Sequence, residues 1–424
     1  MTHFGVFCPG AIGHLNPMGN LSRELLRRGH RVTLFGVPDV RLKMARSGLE
    51  FFEIGAEEFP PGALEVIYAQ LGTMDGLAGL KFSIQCFQQE AEMLFQRAPA
   101  AIQLAGVEAL IIDQVTTAMG TVADYLNLPF VTVCNALLIN REPGIPPYFT
   151  HWRYQDTRWA RVRNRLGNRL IAYLTRSIWR TVVQQRQRWH LSPHRYREDA
   201  YSQLAQICQL PAGFDFPRKQ LPACFHYTGP LLDPQSSEPV AFDSSAFPFE
   251  QLTSKPLIYA SLGTLQNRNW KLFEAIADAC LGLDAQLVIS LGDPNREVAT
   301  LKLPGSPLVV AYAPHQQLIR RSSLVITHAG MNTVIGALSC GVPLVAIPIT
   351  NEQPGIAARL AQTGAGEVVP LAKLTVPKLR AAVEAVLAEP SYREHAARMQ
   401  AEIRQCGGVI AAADVIEAAI APTH

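Results

Sequence analysis

The sequence predicts an α/β protein built from two doubly wound, Rossmann-like domains that face each other across a cleft. Three observations predict this. The chain has 424 residues, enough for two independent cores. Two separate stretches alternate short apolar runs with helical patterns. Between them, residues 232–256 read LDPQSSEPVAFDSSAFPFEQLTSKP, rich in Pro, Ser and Asp and without either period. The expected division is an N-terminal domain over 1–232, a linker over 233–256 and a second domain over 257–405. A C-terminal helix over 406–424 is expected to pack back toward the first domain.

In the first stretch, 3–8 reads as a strand, 9–16 as a loop and 18–28 as a helix. Pro17 before that helix and Gly29 after it follow the usual Pro-first, Gly-last asymmetry. A strand over 31–37 follows, then strands over 109–113 and 130–134 around a helical pattern at 118–126. Strand–helix–strand rhythm of this kind implies a parallel sheet with right-handed crossovers. The second stretch places strands at 257–262, 286–291, 308–312, 324–327 and 343–348, with helices at 270–283, 316–320 and 331–339. Helical patterns at 353–363, 376–388, 391–405 and 409–420 close the chain. The apolar runs are continuous, as in strands buried on both faces. In such folds ligands bind beyond the carboxyl ends of the strands.

Composition narrows the class. Hydrophobic residues make 48%, charged residues 17%, and the mean hydropathy is +0.08, values of a globular chain. The formal charge of +3 carries no nucleic-acid signature. That small total hides residues 151–200, where twelve Arg and no Lys stand against three acids. Eight scattered cysteines without a C-x-x-C pair predict free thiols in a reducing cytosol. The N-terminus lacks a basic n-region and reads as a strand, not a signal peptide. No run approaches the roughly 18–20 apolar residues of a membrane span. The expected location is cytoplasmic, at most peripheral to a membrane.

The loops carry the chemistry. Pro9-Gly10-Ala11-Ile12-Gly13-His14-Leu15-Asn16-Pro17 has neither a G-x-G-x-x-G nor a P-loop spacing. It offers His14 at a strand-to-helix turn, where an imidazole can serve as a general base or merely cap the helix. Asp113 ends the apolar run Leu110-Ile111-Ile112. It can orient the His14 ring as an Asp does in a hydrolase triad, or it can cap the helix that follows. In the second half, Thr327-His328-Ala329-Gly330-Met331-Asn332-Thr333 joins a buried strand to a helix start, which suits an anion. Ala260-Ser261-Leu262-Gly263-Thr264 adds a second loop of small residues, and Thr350-Asn351-Glu352-Gln353 adds an acid and an amide suited to sugar hydroxyls.

These residues resemble the family 1 nucleotide-sugar-dependent glycosyltransferases of GT-B fold. The signature runs from Tyr312-Ala313-Pro314-His315 through Thr327–Thr333 and Cys340-Gly341-Val342-Pro343 to Glu352-Gln353-Pro354-Gly355. Within the family the chain is most similar to bacterial zeaxanthin (carotenoid) glucosyltransferases, through Asn140-Arg141-Glu142-Pro143, Asp215-Phe216-Pro217-Arg218-Lys219, Cys224-Phe225-His226 and the stretch from Ala260 to Gln266. The resemblance implies His14 as catalytic base with Asp113 as its partner. It implies that Ser261, Gly263, Thr264, His328, Gly330, Asn332 and Thr333 hold the donor diphosphate, that Tyr312 stacks on the base, and that Glu352 and Gln353 bind the donor sugar. The chain departs from the family at Gly336, where an acid often binds ribose, at Glu352, commonly Asp, and at His315, where plant members have Gln.

The implied reaction is inverting transfer of glucose from UDP-glucose to a hydroxyl of an apolar acceptor, a hydroxylated carotenoid such as zeaxanthin. No D-x-D pair occurs, so no metal is expected. Broader acceptors (flavonoids, sterols, other terpenoids), a UDP-sugar epimerase and a non-catalytic isoprenoid binder stay open. The acceptor pocket is expected in N-domain loops within 55–95 and 138–200. Over 161–183, Leu166, Leu170, Tyr173, Leu174, Ile178 and Val182 fall at helical spacing among arginines. This segment of 150–200 reads either as a contact with anionic membrane or as an ordinary surface helix.

Overall fold

Continuous apolar runs become the buried strands of two all-parallel sheets. The computed structural model describes the chain apart from residues 46, 75, 234–246, 266–267, 295, 299–301 and 422–424. Most of the expected linker, Gln266 and the last residues of the expected C-terminal helix therefore lie outside the described residues.

The first half runs β1 (His3–Phe7), α1 (Ile12–Arg27), β2 (Arg31–Gly36), α2 (Pro38–Met44), β3 (Glu50–Glu53), α3 (Ala63–Leu71) and α4 (Gly76–Ala105). It continues with β4 (Ala109–Asp113), α5 (Ala118–Leu126), β5 (Phe130–Cys134), α6 (Arg158–Leu174), α7 (Arg176–Arg188), β6 (Gln206–Cys208) and β7 (Phe225–Tyr227). The strand order is β3-β2-β1-β4-β5-β6-β7. The second half holds β8 (Leu257–Ser261), α8 (Trp270–Cys280), β9 (Gln286–Ser290), β10 (Leu308–Val310), α9 (His315–Arg321), β11 (Leu324–Thr327) and α10 (Met331–Ser339). β12 (Leu344–Ala346), α11 (Gln353–Thr363), β13 (Gly366–Val368), α12 (Val376–Ala388), α13 (Pro390–Gln405) and α14 (Gly408–Ile420) complete it. Its order is β10-β9-β8-β11-β12-β13.

Both faces of the second sheet are covered. Tyr259, Val288, Val325 and Leu344 enter one core, and their neighbours Ile258, Ile289, Ile326 and Val345 enter the other. That explains runs without polar alternation. In each sheet the order reverses between two central strands, β1/β4 and β8/β11. These are the switch points at which a crevice opens.

The structure corrects several expected elements. Helix α1 begins at Ile12 rather than 18, and Pro17 lies inside it. Proline there costs the helix one bond, because it has no N–H for the Gly13 carbonyl. That carbonyl accepts instead from Asn332 Nδ2 at 2.8 Å, across the cleft. The helical pattern over 161–183 breaks at Thr175, whose hydroxyl donates to the Ile171 carbonyl at the end of α6. The segments expected as acceptor loops carry α3, α4, α6 and α7. Helix α4 buries residues toward the core and also faces the cleft, which blurs its apolar stripe.

Contacts away from the cleft mouth also join the halves. Helix α14 crosses back to the first core with Val409, Ala412, Ala413 and Ile416, and Arg28 pairs there with Asp414 at 2.6 Å and Glu417 at 2.7 Å. Arg359 of α11, 1% exposed, reaches Asp215 at 2.7 Å. Asp215 also accepts from Arg218 at 2.5 Å and from the Tyr227 hydroxyl at 2.9 Å. Burial alone would raise the Asp215 carboxyl; Arg359 and Arg218 hold it down at about 2. The Asp215–Arg218 motif thus has a physical reason, a buried bridge between domains.

Candidate active site

The first switch point brings His14 and Asp113 together. Register pairs Phe7 of β1 with Ile112 of β4, so the residues that follow these strands emerge side by side. His14 sits in the first turn of α1, and its Nδ1 lies 2.6 Å from Asp113 Oδ2. Asp113 is 1% exposed and is further held by Asn135 Nδ2 at 2.8 Å and the Val115 N–H at 3.0 Å. Burial pushes the imidazole down, but the Asp113 carboxylate outweighs it, and the ring is raised above 6.5. Glu352 and Glu90 add smaller upward contributions. With Nδ1 engaged, Nε2 is the nitrogen left for a substrate.

The second switch point gathers the other predicted residues. Ser261 ends β8 and its hydroxyl accepts from the Gly263 N–H at 3.3 Å; Thr264 follows. His328 and Gly330 lie between β11 and α10, and Thr333 lies in the first turn of α10. The His328 ring fills the space that side chains at Gly263 and Gly330 would need. A Cβ at Gly263 would stand 2.6 Å from its Cε1, and one at Gly330 would stand 2.7 Å away. Burial drives this imidazole down to about 4, so it is neutral. Its Nδ1 has no hydrogen-bond partner among the described residues.

The remaining predicted residues divide by their present bonds. Asn332 faces the cleft but binds protein on both sides: Nδ2 donates to Gly13, and Oδ1 accepts from Gln209 Nε2 at 3.1 Å. Gln353 uses its oxygen to accept from the Ile349 and Thr350 N–H groups at 2.8 and 3.0 Å, which leaves its amino group. Glu352 lines the cleft and burial pushes its carboxyl up. Tyr312 is half-buried in the cleft wall. At Gly336, a Cβ would stand 3.1 Å from Gln316 Nε2, so an amide occupies the place beside that glycine. His315 binds the Tyr259 hydroxyl through Nδ1 at 2.9 Å.

Asp113 lies buried behind His14; the other predicted residues line one cavity of about 610 Å³ between the domains, a size suited to small-molecule ligands. Its N-domain walls are apolar, with Leu64, Ile67 and Leu71 from α3 and Leu80, Phe87 and Leu94 from α4. Buried polar atoms are rarely unpaired, yet Asn16 Oδ1, Ser83 Oγ, Thr116 Oγ1 and Asn135 Oδ1 lie on this wall without a partner among the described residues. Glu90 is a site residue that sequence reasoning missed, as are Asn135 and Gln209. Glu90 lines the same wall, and burial, together with the Asp113 charge, raises its carboxyl to about 7. Its signal was a single acid on an otherwise apolar helix face.

The His14–Asp113 pair faces the buried His328 across a cleft between two parallel sheets, the arrangement of a GT-B fold. The model of UDP-glucoronosyl and UDP-glucosyl transferases matches residues 80–404, and the chain belongs to that family. It is 34% identical to the zeaxanthin glucosyltransferase of Pantoea ananas, over 98% of this chain and 96% of that protein. The corresponding enzyme of Pseudescherichia vulneris is 32% identical, over 99% and 98%. Among solved structures, the glycosyltransferase of kitacinnamycin shares the fold with a TM-score of 0.76, at 20% identity over 99% of both chains. The calicheamicin glycosyltransferase gives a TM-score of 0.72 at 22% identity, over 100% of both.

Proposed function

We propose that this glycosyltransferase moves glucose from UDP-glucose to a hydroxyl of an apolar acceptor, a hydroxylated carotenoid of the zeaxanthin type, with inversion. The observation that carries the reading is the 2.6 Å His14–Asp113 pair at the mouth of an apolar cavity that also reaches His328. In the proposed step, His14 Nε2 takes the proton of the acceptor hydroxyl as its oxygen bonds to the anomeric carbon. The bond from that carbon to the phosphate oxygen breaks, and UDP leaves with the electron pair. Attack opposite the leaving group turns an α-linked donor into a β-glycoside. Asp113 stabilises the imidazolium, as in a triad without its serine.

On the donor side, His328 and the first N–H groups of α10 would meet the departing diphosphate. Gly263 and Gly330 keep that imidazole in place, and Ser261, Thr264 and Thr333 border the same site. Tyr312 would stack on the base. Glu352 and the free amino group of Gln353 would bind sugar hydroxyls. Asn332 would exchange its bonds to Gly13 and Gln209 for the donor. These protein groups can offset the diphosphate charge without a metal, so chelator is expected to leave turnover unchanged. The relatives named for zeaxanthin support the carotenoid acceptor over flavonoids or sterols. Among the described residues no helix is long and apolar enough to cross a membrane. A cytoplasmic enzyme in peripheral contact with anionic membrane through 150–200 completes the reading.

The test is incubation with UDP-glucose and zeaxanthin, a flavonol or a sterol, following UDP release, product mass and anomeric configuration. A β-glucoside of the carotenoid is expected. Isomerised UDP-sugar without acceptor would instead mark an epimerase, and binding without turnover a pigment carrier.

A further inference from the structure

We propose that the outward face of α6 docks on an anionic lipid surface, setting the wall of the acceptor cavity against the bilayer. The inference rests on the reading that the acceptor is apolar. Its starting point is a helix that turns its apolar residues away from the core. Trp159, Val162, Leu166, Leu170 and Tyr173 recur at steps of three and four, which makes one stripe. They are 69%, 46%, 55%, 54% and 61% exposed.

The packing explains the direction. Helix α6 buries Ala160, Asn164, Gly167 and Ile171, mostly small or polar residues. A Cβ at Gly167 would stand 2.7 Å from the Pro147 ring and 3.1 Å from Trp152, so only a glycine face fits there. Asn164 Nδ2 donates to the Gly144 carbonyl at 3.1 Å. The large apolar residues are therefore left to the outside. The expected helix over 161–183 contained two faces: Val182 of α7 is buried, whereas Leu166, Leu170 and Tyr173 of α6 are exposed.

Charge selects the occupant. Helix α6 carries five arginines and no acid. Arg158, Arg165 and Arg169 are exposed and run along one edge of the stripe, and Arg176 lies 3.9 Å over the Tyr173 ring. Aromatic residues at both ends and arginines alongside are the pattern of a helix lying in an anionic interface. A second copy meeting this face symmetrically would set arginine against arginine. On its inner side the same helix lines the cavity with Asn168, Ile171 and Ala172. One helix thickness thus separates the proposed bilayer surface from the acceptor site.

Flotation of the full chain with vesicles of phosphatidylcholine alone, or mixed with phosphatidylglycerol, tests the proposal without using turnover. The chain is expected to float with the mixed vesicles at low salt and to be released as salt screens the arginines. L166D/L170D is expected to lower the bound fraction at least about tenfold, since each leucine loses its apolar burial, with circular dichroism and melting unchanged. R158E/R165E/R169E is expected to abolish the preference for anionic vesicles. As a milder reading, tryptophan emission should shift to the blue on mixed vesicles, and less so in W159F. Failure to float at low salt would overturn the proposal, as would flotation that L166D/L170D leaves intact. A dimer in solution that L166D/L170D dissolves would assign the stripe to a second copy and overturn it too. Because glucose transfer is measured separately, a chain that transfers without floating loses only the docking.

Discussion

Two imidazoles face the cleft from opposite domains, and their surroundings shift them in opposite directions. His14 lies 2.6 Å from a buried carboxylate and is raised above 6.5. His328 lies between two glycines, and burial without a carboxylate drives it down to about 4. Both stand at switch points of sheets with the same central order. Neighbours, rather than topology, separate the imidazole that is raised from the one that is lowered. In the proposed reaction the same fold element would do acid–base work on one side of the cleft and receive an anion on the other.

Removing each imidazole breaks the comparison most strongly. His14→Ala is expected to lower kcat by about 10²–10⁴ with little change in donor affinity. His328→Ala is expected to cost about 10²–10³, the loss of one donor to the leaving group, with weaker binding of UDP. Gly330→Ala and Gly263→Ala displace the His328 ring without removing it, and a fall of up to about 10² in turnover is expected. Gly263 also has φ +74°, so its alanine variant is strained as well as crowded. Steady-state kinetics with titration calorimetry for UDP would separate these effects.

The pH dependence sharpens the contrast. The base must be neutral, so activity is lost as pH falls through the raised pKa of His14. Asp113→Asn removes the main upward contribution and should move that acid limb to lower pH, along with a loss in rate. Glu90→Gln should move it the same way but less, because Glu90 ranks below Asp113 among the charges acting on His14. His328 should add no titration near neutrality.

Much of the site was legible because its residues fall in short loops after strongly apolar strands. His14, Asp113, Ser261 and His328 are all found beside the switch points. The acceptor wall was far less legible. Helix α4 faces both core and cavity, so its period is blurred, and Glu90 is hidden beside Gln88, Gln89 and Glu92. Strands β6, β7 and β13 have three residues each, and Gln206, His226 and Glu367 interrupt their apolar runs. The start of α1 was misplaced because Pro17 reads as a first-turn residue; its actual effect, freeing the Gly13 carbonyl for Asn332, depends on a partner more than 300 residues away. Asn332 itself reads as a donor ligand, yet it ties the domains together here. The buried Asp215–Arg359 bridge is likewise a long-range pairing that neither residue announces.

The central claim is that His14 takes the proton of an acceptor hydroxyl as glucose leaves UDP. The most direct measurement is the rate of UDP release across pH, at saturating UDP-glucose and zeaxanthin, in the wild-type chain and in His14→Ala. The account predicts an acid limb in the wild type, displaced upward from that of a free imidazole, and a rate at least about 10² lower without that limb in the variant. Equal rates and the same pH profile in both would contradict it.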